Sequence, residues 1–256
     1  MAPPLDLAHA LQVACRAASA AAEAALRHFH PGIKVEFKGE KSPVTVADRE
    51  AEQAILSIIR AEFPQHGLLC EESGCHGAGA ESRWIIDPID GTRGFIRGGL
   101  FWGPLVALEH EGDIVVGAMT IPTLGESYWA ARGMGCYRNG EKLQVSACSE
   151  WSQATLSMGE LDRLLVQPWD QGVLRLVRTA QSTRCYGDLG GVAMVLAGRA
   201  DAWIEAGVQA WDLAPHKILV EEAGGRFTDF TGLPTVASGN AVATNGVLHA
   251  HVLEEL

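Results

Sequence analysis

Apolar side chains recur at a helical period from the start of the chain. In MAPPLDLAHALQVACRAASAAAEAALRHF, Leu7, Leu11, Ala14, Ala18, Ala22, Leu26 and Phe29 share one face, which predicts an amphipathic helix. A second helix is predicted over 46–62, with Ala51, Ile55, Ile58 and Ile59 on its buried side and Pro64 beyond its end. CEESGCHGAGAES (70–82) has the composition of a loop and runs into a short strand, RWIID. PLVALEH, IVVGAMTIP and ESYWAARG follow as strand-like runs separated by Gly, Pro and Asp. CYRNGEKLQVS carries Asn139-Gly140 between two extended segments, the strongest hairpin signal in the chain.

Beyond about residue 145 the pattern changes to alternating strands and helices. A small-residue helix is expected over 189–198, then the strand ADAWIEA and the helix DLAPHKILVEEA, stopped by Gly224-Gly225. RFTDF and AVATN are further strands, and a short helix ends the chain. The fold class so predicted is α+β over 1–145 and α/β over 146–256, packed as one unit without a flexible hinge.

Charge narrows the partners. The chain has 256 residues and a formal net charge of −11, which disfavours a nucleic-acid backbone or an anionic membrane surface. An anionic substrate would need local cations to hold it. The six cysteines form no C-x-x-C pair, as expected of buried thiols in a reducing cytoplasm. The N-terminal stretch lacks a basic region followed by an apolar core, and no run of about 18 apolar residues occurs, so no membrane span is expected. The expected setting is cytoplasmic.

Two carboxylates stand close together in WIIDPIDGTRGF (84–95): Asp87 where an apolar run ends, and Asp90 just ahead of Gly91-Thr92. Like charges that close suppress each other's ionisation unless a cation sits between them. Asp90 alone could cap a short helix TRGFI, but Asp87 has no basic neighbour in sequence. A divalent cation held between the two accounts for both, because Mg²⁺ binds through a few carboxylates and keeps positions open for phosphate oxygens. The Ile89 carbonyl between them could be a further ligand.

Other acidic residues stand at the ends of predicted elements. Glu71 and Glu72 have the look of solvated surface, yet Leu68, Leu69 and Cys70 suggest a strand delivering Glu71 to an edge. Asp48, three residues after Thr45, has capping-box spacing. Asp212 in AWDLAPHK begins a helix and could likewise be a cap. Glu205 ends the strand before it, and Asp188 starts the helix before that. Such ends can converge on one cleft. Among other chemistries, no phosphate-binding G-x-x-x-x-G-K-[ST], no G-x-S-x-G and no H-E-x-x-H occurs, and no cysteine is followed six positions later by arginine. His216, one helical turn from Asp212, is expected at an exposed or supporting position.

The set E-E-S at 71–73, D-P-I-D-G-T at 87–92, W-D-L-A at 211–214 and E-A-G-G at 222–225, with V-A-D at 46–48, resembles the inositol-monophosphatase superfamily of Mg²⁺-dependent, lithium-sensitive phosphatases. The likeness runs through nearly the whole chain in order. It implies a layered αβαβα sandwich and a homodimer acting on a small phosphorylated metabolite. Glu71, Asp87 and the Ile89 carbonyl would hold a first metal, and Asp87, Asp90 and Asp212 a second. Asp48 would lie near a weaker third. Two or three Mg²⁺ per subunit are implied, with Mn²⁺ as a substitute. Gly91 and Thr92 would present amides and a hydroxyl to the phosphate, at the N-terminus of a helix. The mechanism implied is two-metal, in-line hydrolysis without a phospho-enzyme, Glu71 and Thr92 orienting and deprotonating the water.

TRGFIRGGLFWGPLVAL, CYGD at 185–188 and the tail AVATNG look most like the histidinol-phosphate phosphatase branch. Histidinol phosphate carries an ammonium and an imidazole, so an acidic far wall suits it. Asp188 and Glu205 could form that wall, with Arg184 and Arg93 framing it; the alternative is that these are solvated residues at element ends, which for Arg93 carries at least equal weight. Inositol monophosphatase, 3′,5′-bisphosphate nucleotidase and fructose-1,6-bisphosphatase-like activities are the alternatives, as is a silent metal- or phosphate-binding regulator. Cys70, Gly99, Gly190-Gly191 and Pro215 depart from the pattern of the resemblance, and none of them removes a metal ligand.

Overall fold

Alanines make most of the buried stripe of the first helix. The computed structural model of the chain describes residues 5–30, 35–38, 42–77 and 79–256, with backbone alone at 37, 38, 42 and 43. The helix α1 (Leu7–Leu26) buries Ala10, Val13, Ala14, Ala17, Ala18, Ala21, Ala22, Ala24 and Ala25, and Asp6 caps it by accepting from the amides of Ala8 and His9. The expected face is therefore rotated: Leu7 and Leu11 are half-buried and Leu26 is 44% exposed. Small side chains win the inner position because α1 lies close against a sheet and a second helix, where leucines would overfill the space.

The chain then forms β1 (Val35–Lys38), β2 (Ser42–Thr45), α2 (Val46–Glu62), β3 (Gly67–Cys70), β4 (Gly74–His76), β5 (Ser82–Asp90) and α3 (Thr92–Ile96). An antiparallel series follows: β6 (Gly103–His110), β7 (Asp113–Ile121), β8 (Glu126–Ala131), β9 (Gly135–Arg138) and β10 (Glu141–Lys142). The second half contains β11 (Thr155–Met158), α4 (Leu161–Leu164), α5 (Asp170–Thr179), β12 (Ser182–Arg184), α6 (Asp188–Leu196) and β13 (Ala202–Ala206). It ends with α7 (Ala210–Glu222), β14 (Arg226–Thr228), β15 (Asn240–Thr244) and α8 (His249–Glu255). The 70–82 stretch, of which Ala78 lies outside the described residues, is not wholly loop: β4 turns back and pairs with β3. RFTDF is extended only to Thr228, because the Asp229 carboxylate accepts from the amides of Thr231 and Leu233 and closes a turn. The Asn139-Gly140 hairpin is present, with Arg138 opposite Glu141.

Helices and sheets alternate in five layers, the expected αβαβα order. α1 and α2 cover one face of an eight-stranded sheet ordered β10-β9-β8-β7-β6-β5-β3-β4. α6 and α7 fill the space between its other face and a five-stranded sheet ordered β12-β11-β13-β15-β14. α5 and α8 close the far side. Because the larger sheet is covered on both faces, its central strands send apolar side chains both ways: Trp84 and Ile86 point to the α1–α2 side and Ile85 to the α6–α7 side.

The middle layer fits most tightly where α7 crosses β7. A Cβ on Gly117 would lie 2.5 Å from Ile218 Cγ2 and 3.0 Å from the Pro215 carbonyl oxygen. Gly117→Ala is therefore expected to destabilise the protein by roughly 1–3 kcal/mol through overpacking. That exceeds the gain of up to about 1 kcal/mol from stiffening the unfolded chain. A urea midpoint equal to that of the unmodified protein would contradict this account of the layer spacing.

Candidate active site

A bulge in β5 brings the first two carboxylates together. Asp87 pairs with Leu105 and Asp90 with Gly103, so three steps along β5 match two along β6. In a regular strand, residues three apart point to opposite faces. The extra residue puts Asp87 and Asp90 on one side, and Pro88 is tolerated there because a bulge needs no ladder hydrogen bond from it. Asp87 Oδ1 accepts from the Ile89 amide at 2.9 Å, which holds its carboxylate over the bulge. Asp90 caps nothing: α3 starts from Gly91 in the left-handed region (φ 75°) without a side-chain cap. A Cβ there would come within 2.7 Å of the Phe101 carbonyl oxygen, so the turn requires glycine.

The third carboxylate arrives from α7. Asp212 is its third residue, and Oδ2 accepts from the Gln209 amide at 2.7 Å, closing a capping box. Its carboxylate, with those of Asp87 and Asp90, forms a group whose oxygens lie within 4.8 Å of one another. Glu71 follows β3, which is parallel to β5 with Cys70 beside Ile86. The Glu71 amide donates to the Ile86 carbonyl at 3.1 Å, so Glu71 emerges next to Asp87.

Asp48 and Thr92 complete this side. Asp48 is fully buried in the first turn of α2, where Oδ2 accepts from both the amide and the hydroxyl of Thr45 at 2.7 Å. Its Oδ1 lies 3.3 Å from the Thr92 hydroxyl, which also reaches the Ile89 carbonyl at 2.9 Å. The capping role expected of Asp48 and its place beside Thr92 are thus both present, using different oxygens.

The opposite wall stands at the carboxyl ends of three parallel strands, where α/β sheets place ligands. β11 is parallel to β12 and to β13. Asp188 starts α6 at φ 38°, and the buried Glu205 lies near the end of β13. Sequence reasoning missed Glu160, which follows β11 and Gly159 at φ 42° and pairs with Arg93 at 3.7 Å. The signal was available: Gly159-Glu160 and Gly187-Asp188 are both Gly-acid pairs at a helix start. His216 is not exposed. It is fully buried and lines the cavity with Asp90, Asp188, Trp203, Glu205, Val208, Asp212 and Leu213. Arg93 adjoins this wall through Glu160, whereas Arg184 is exposed on β12 and donates to the adjacent Thr183 carbonyl. Nothing in that arrangement ties Arg184 to the cleft.

So many carboxylates in little water cannot all ionise. Burial, then the charges of Glu71, Asp90 and Asp212, push Asp87 well above the ordinary carboxylate range. Burial followed by Asp188 and Asp212 does the same to Asp90. Burial, then Asp188 and Asp212, raises Glu205. Asp212 is pushed up to about 6, chiefly by burial and against the Gln209 amide. Asp188 also reaches about 6, through burial and then Glu160, with Arg93 opposing. An oxygen-only donor set short of positive charge fits a hard divalent cation such as Mg²⁺ or Mn²⁺.

A layered sandwich holding such a cluster against an acidic wall is the architecture of a metal-dependent phosphate ester hydrolase. Residues 6–256 match the profile of the inositol monophosphatase family, and the chain belongs to that family. It is a phosphoric monoester hydrolase of a metal-dependent family. It is 40% identical to a histidinol-phosphatase of Chlorobaculum parvum, over 91% of each chain. It is 37% identical to a histidinol-phosphatase of Mycobacterium tuberculosis, over 88% of each. An inositol monophosphatase from Anabaena (Nostoc) sp. PCC 7120 superposes with a TM-score of 0.86 at 32% identity, covering 98% of this chain and 96% of that one. Among the described residues, no helix is long and apolar enough to cross a membrane.

The pKa shifts give a test of cation binding. Asp212 has a folded pKa near 6, above its ordinary 3.8, so its proton stabilises the cation-free protein at low pH, and that contribution is lost as pH rises through 6. A divalent cation must displace this proton. The rise in melting temperature caused by Mg²⁺ should therefore be larger at pH 7.5 than at pH 5, and should shrink in Asp212→Asn. Equal rises at both pH values would rule out the cluster as the cation site.

Proposed function

We propose that the chain is a histidinol-phosphate phosphatase, converting L-histidinol phosphate and water to L-histidinol and phosphate. The observation that supports this reading is the acidic wall of Glu160, Asp188 and Glu205 facing the Asp87–Asp90–Asp212 cluster. One side suits the cation-bridged phosphate and the other a cationic substrate end. The identity to histidinol-phosphatases of two organisms supports it as well. On this reading the 1–145 part supplies most metal ligands and the 146–256 part the substrate wall.

Glu71, Asp87, Asp90, Asp212 and the Ile89 carbonyl would hold two Mg²⁺, with Asp48 beside a weaker third site and Mn²⁺ as substitute. The bound cations supply positive charge to the phosphate and acidify a water molecule. Glu71 accepts a proton from the attacking water. Thr92 orients that water through its oxygen lone pairs, since its own proton is directed to Asp48 or to the Ile89 carbonyl. Gly91 and Thr92 offer amides to the phosphate, although α3 has only five residues and its dipole adds little. Arg93, Asp188 and Glu205 contact the rest of the substrate. Arg184 has no part in this version of the site. The same reading includes a cytoplasmic homodimer, which light scattering on the purified protein would check.

Phosphate release from histidinol phosphate, inositol 1-phosphate and a 3′,5′-bisphosphate nucleotide is the deciding measurement. Histidinol phosphate is expected to give the highest kcat/KM, with activity lost in EDTA and reduced by millimolar lithium. Asp90→Asn should lower turnover on the order of a thousandfold, because electrostatic stabilisation at the metals supplies most of the barrier lowering. Preference for inositol 1-phosphate would overturn the substrate while leaving the phosphatase site intact.

Glu205→Gln and Asp188→Asn probe the wall separately. A hydrogen bond to a charged group contributes roughly 1.5–3 kcal/mol. Each variant should therefore lose about one to two orders of magnitude in kcat/KM for histidinol phosphate, and much less for inositol 1-phosphate. Equal losses on the two esters would reduce these carboxylates to shaping the cleft.

A further inference from the structure

Beneath the acidic wall the cavity has a floor of polar groups without partners. Trp203 of β13 and His216 of α7 meet edge to face, with ring centroids 5.7 Å apart and planes at 83°. Both ring nitrogens of His216, Nε1 of Trp203 and Oε2 of Glu205 are buried and, among the described residues, make no hydrogen bond of ordinary geometry. The Trp203 N–H is still near enough to favour the ionised form of Glu205. Glycines make the room: a Cβ on Gly159 would collide with the Glu205 carboxylate, and one on Gly191 would lie 2.6 Å from Trp203 Nε1. Burying several hydrogen-bonding atoms unmatched is costly, and apolar side chains of the same volume would avoid that cost. The floor is built for a polar occupant.

Its size and chemistry narrow that occupant. About 10 Å³ is open to a water-sized sphere between the lining residues, enough for one water molecule or one ammonium group and too little for an aromatic ring. Burial keeps His216 neutral, its pKa pushed down to about 3, so the ring offers one lone pair. Glu205 and Asp188 line the same cavity and offer carboxylate oxygens. An ammonium group has three donors and no acceptor: it matches these three acceptors, leaves the Trp203 N–H to Glu205 and the second His216 nitrogen unmatched, and brings positive charge to the two carboxylates. A water molecule would meet the hydrogen bonds and leave the charge uncompensated.

We propose that His216 is a specificity-determining residue, whose ring nitrogen joins Glu205 and Asp188 in seating the ammonium group of an amino-alcohol phosphate ester. This deepens the substrate reading given above and rests on it for the identity of the ester. The seat takes the amine, Trp203 fixes the imidazole of His216 behind it, and the remainder of the substrate stays outside.

Two probes that differ only in the amine test this: L-histidinol and 3-(imidazol-4-yl)propan-1-ol. With the full chain and Mg²⁺ in titration calorimetry, the wild type should bind histidinol at least tenfold more tightly. His216→Leu should abolish that preference, and His216→Gln, which keeps a carbonyl acceptor, should restore part of it. If His216→Leu fails to fold, the wild type still reports through the ¹⁵N shifts of the His216 ring, which should move with histidinol and not with the amine-free probe. An amine preference that survives His216→Leu, or ring nitrogens indifferent to the amine, overturns the seat. Hydrolysis confined to inositol 1-phosphate, together with a His216-dependent amine preference, would overturn the substrate reading and keep the seat.

Discussion

Mutual repulsion among carboxylates is the constraint around which this molecule is arranged. Two ionised groups separated by 4 to 5 Å repel by about 3–4 kcal/mol at an effective dielectric of 20. Asp87, Asp90 and Asp212 lie within that range of one another, with Glu71 beside them and Asp188, Glu160 and Glu205 across the cleft. Left to local preference, such groups would turn toward water. Several are pinned by the backbone instead: Asp87 by the Ile89 amide, Asp212 by the Gln209 amide, and Asp48 by Thr45. A carboxylate oxygen engaged by a backbone amide cannot swing away, and its other oxygen stays directed at the cleft.

The same side chain can therefore cap a helix and serve the site. Asp48 and Asp212 each close a capping box at the start of a long helix. For these two residues, a structural and a chemical account of the carboxylate do not compete, because they use different lone pairs. Asp90 differs, since no backbone motif uses its side chain. Its position comes from the β5 bulge, with no capping role to account for it.

The layers carry these local devices to one place. The larger sheet delivers Glu71 and Asp87 from adjacent parallel strands, and the smaller sheet delivers Glu160, Asp188 and Glu205 from the ends of three more. α7 lies between the sheets and contributes Asp212 upward and His216 to the floor. Its close approach to β7 at Gly117 sets how near the two halves of the cleft stand. A chain with a net charge of −11 thereby concentrates acid where a bound cation and an anionic ester can use it.

Much of this was legible in the sequence because it is local. Helix and strand periods, the Asn139-Gly140 hairpin, the Gly224-Gly225 stop and the acidic residues at element ends all depend on neighbours a few positions away. The close carboxylate pair of the D-P-I-D-G-T segment is legible in the same way, whereas the bulge and the left-handed Gly91 that orient it are seen only in the fold. What the sequence could not determine is which surfaces meet. Leucine outranks alanine in apolarity, yet the crowded side of α1 takes the alanines and leaves Leu26 outside. Arg184 and Glu160 are both charged residues near strand ends, yet Glu160 meets Arg93 across the fold while Arg184 lies exposed against the neighbouring Thr183 carbonyl. His216 was judged from its own helix, but its burial depends on Trp203 and Glu205 of a strand in another sheet. Periodicity along a chain records the apolarity of each face, while burial, pKa and the company of a side chain are set by contacts that only packing creates.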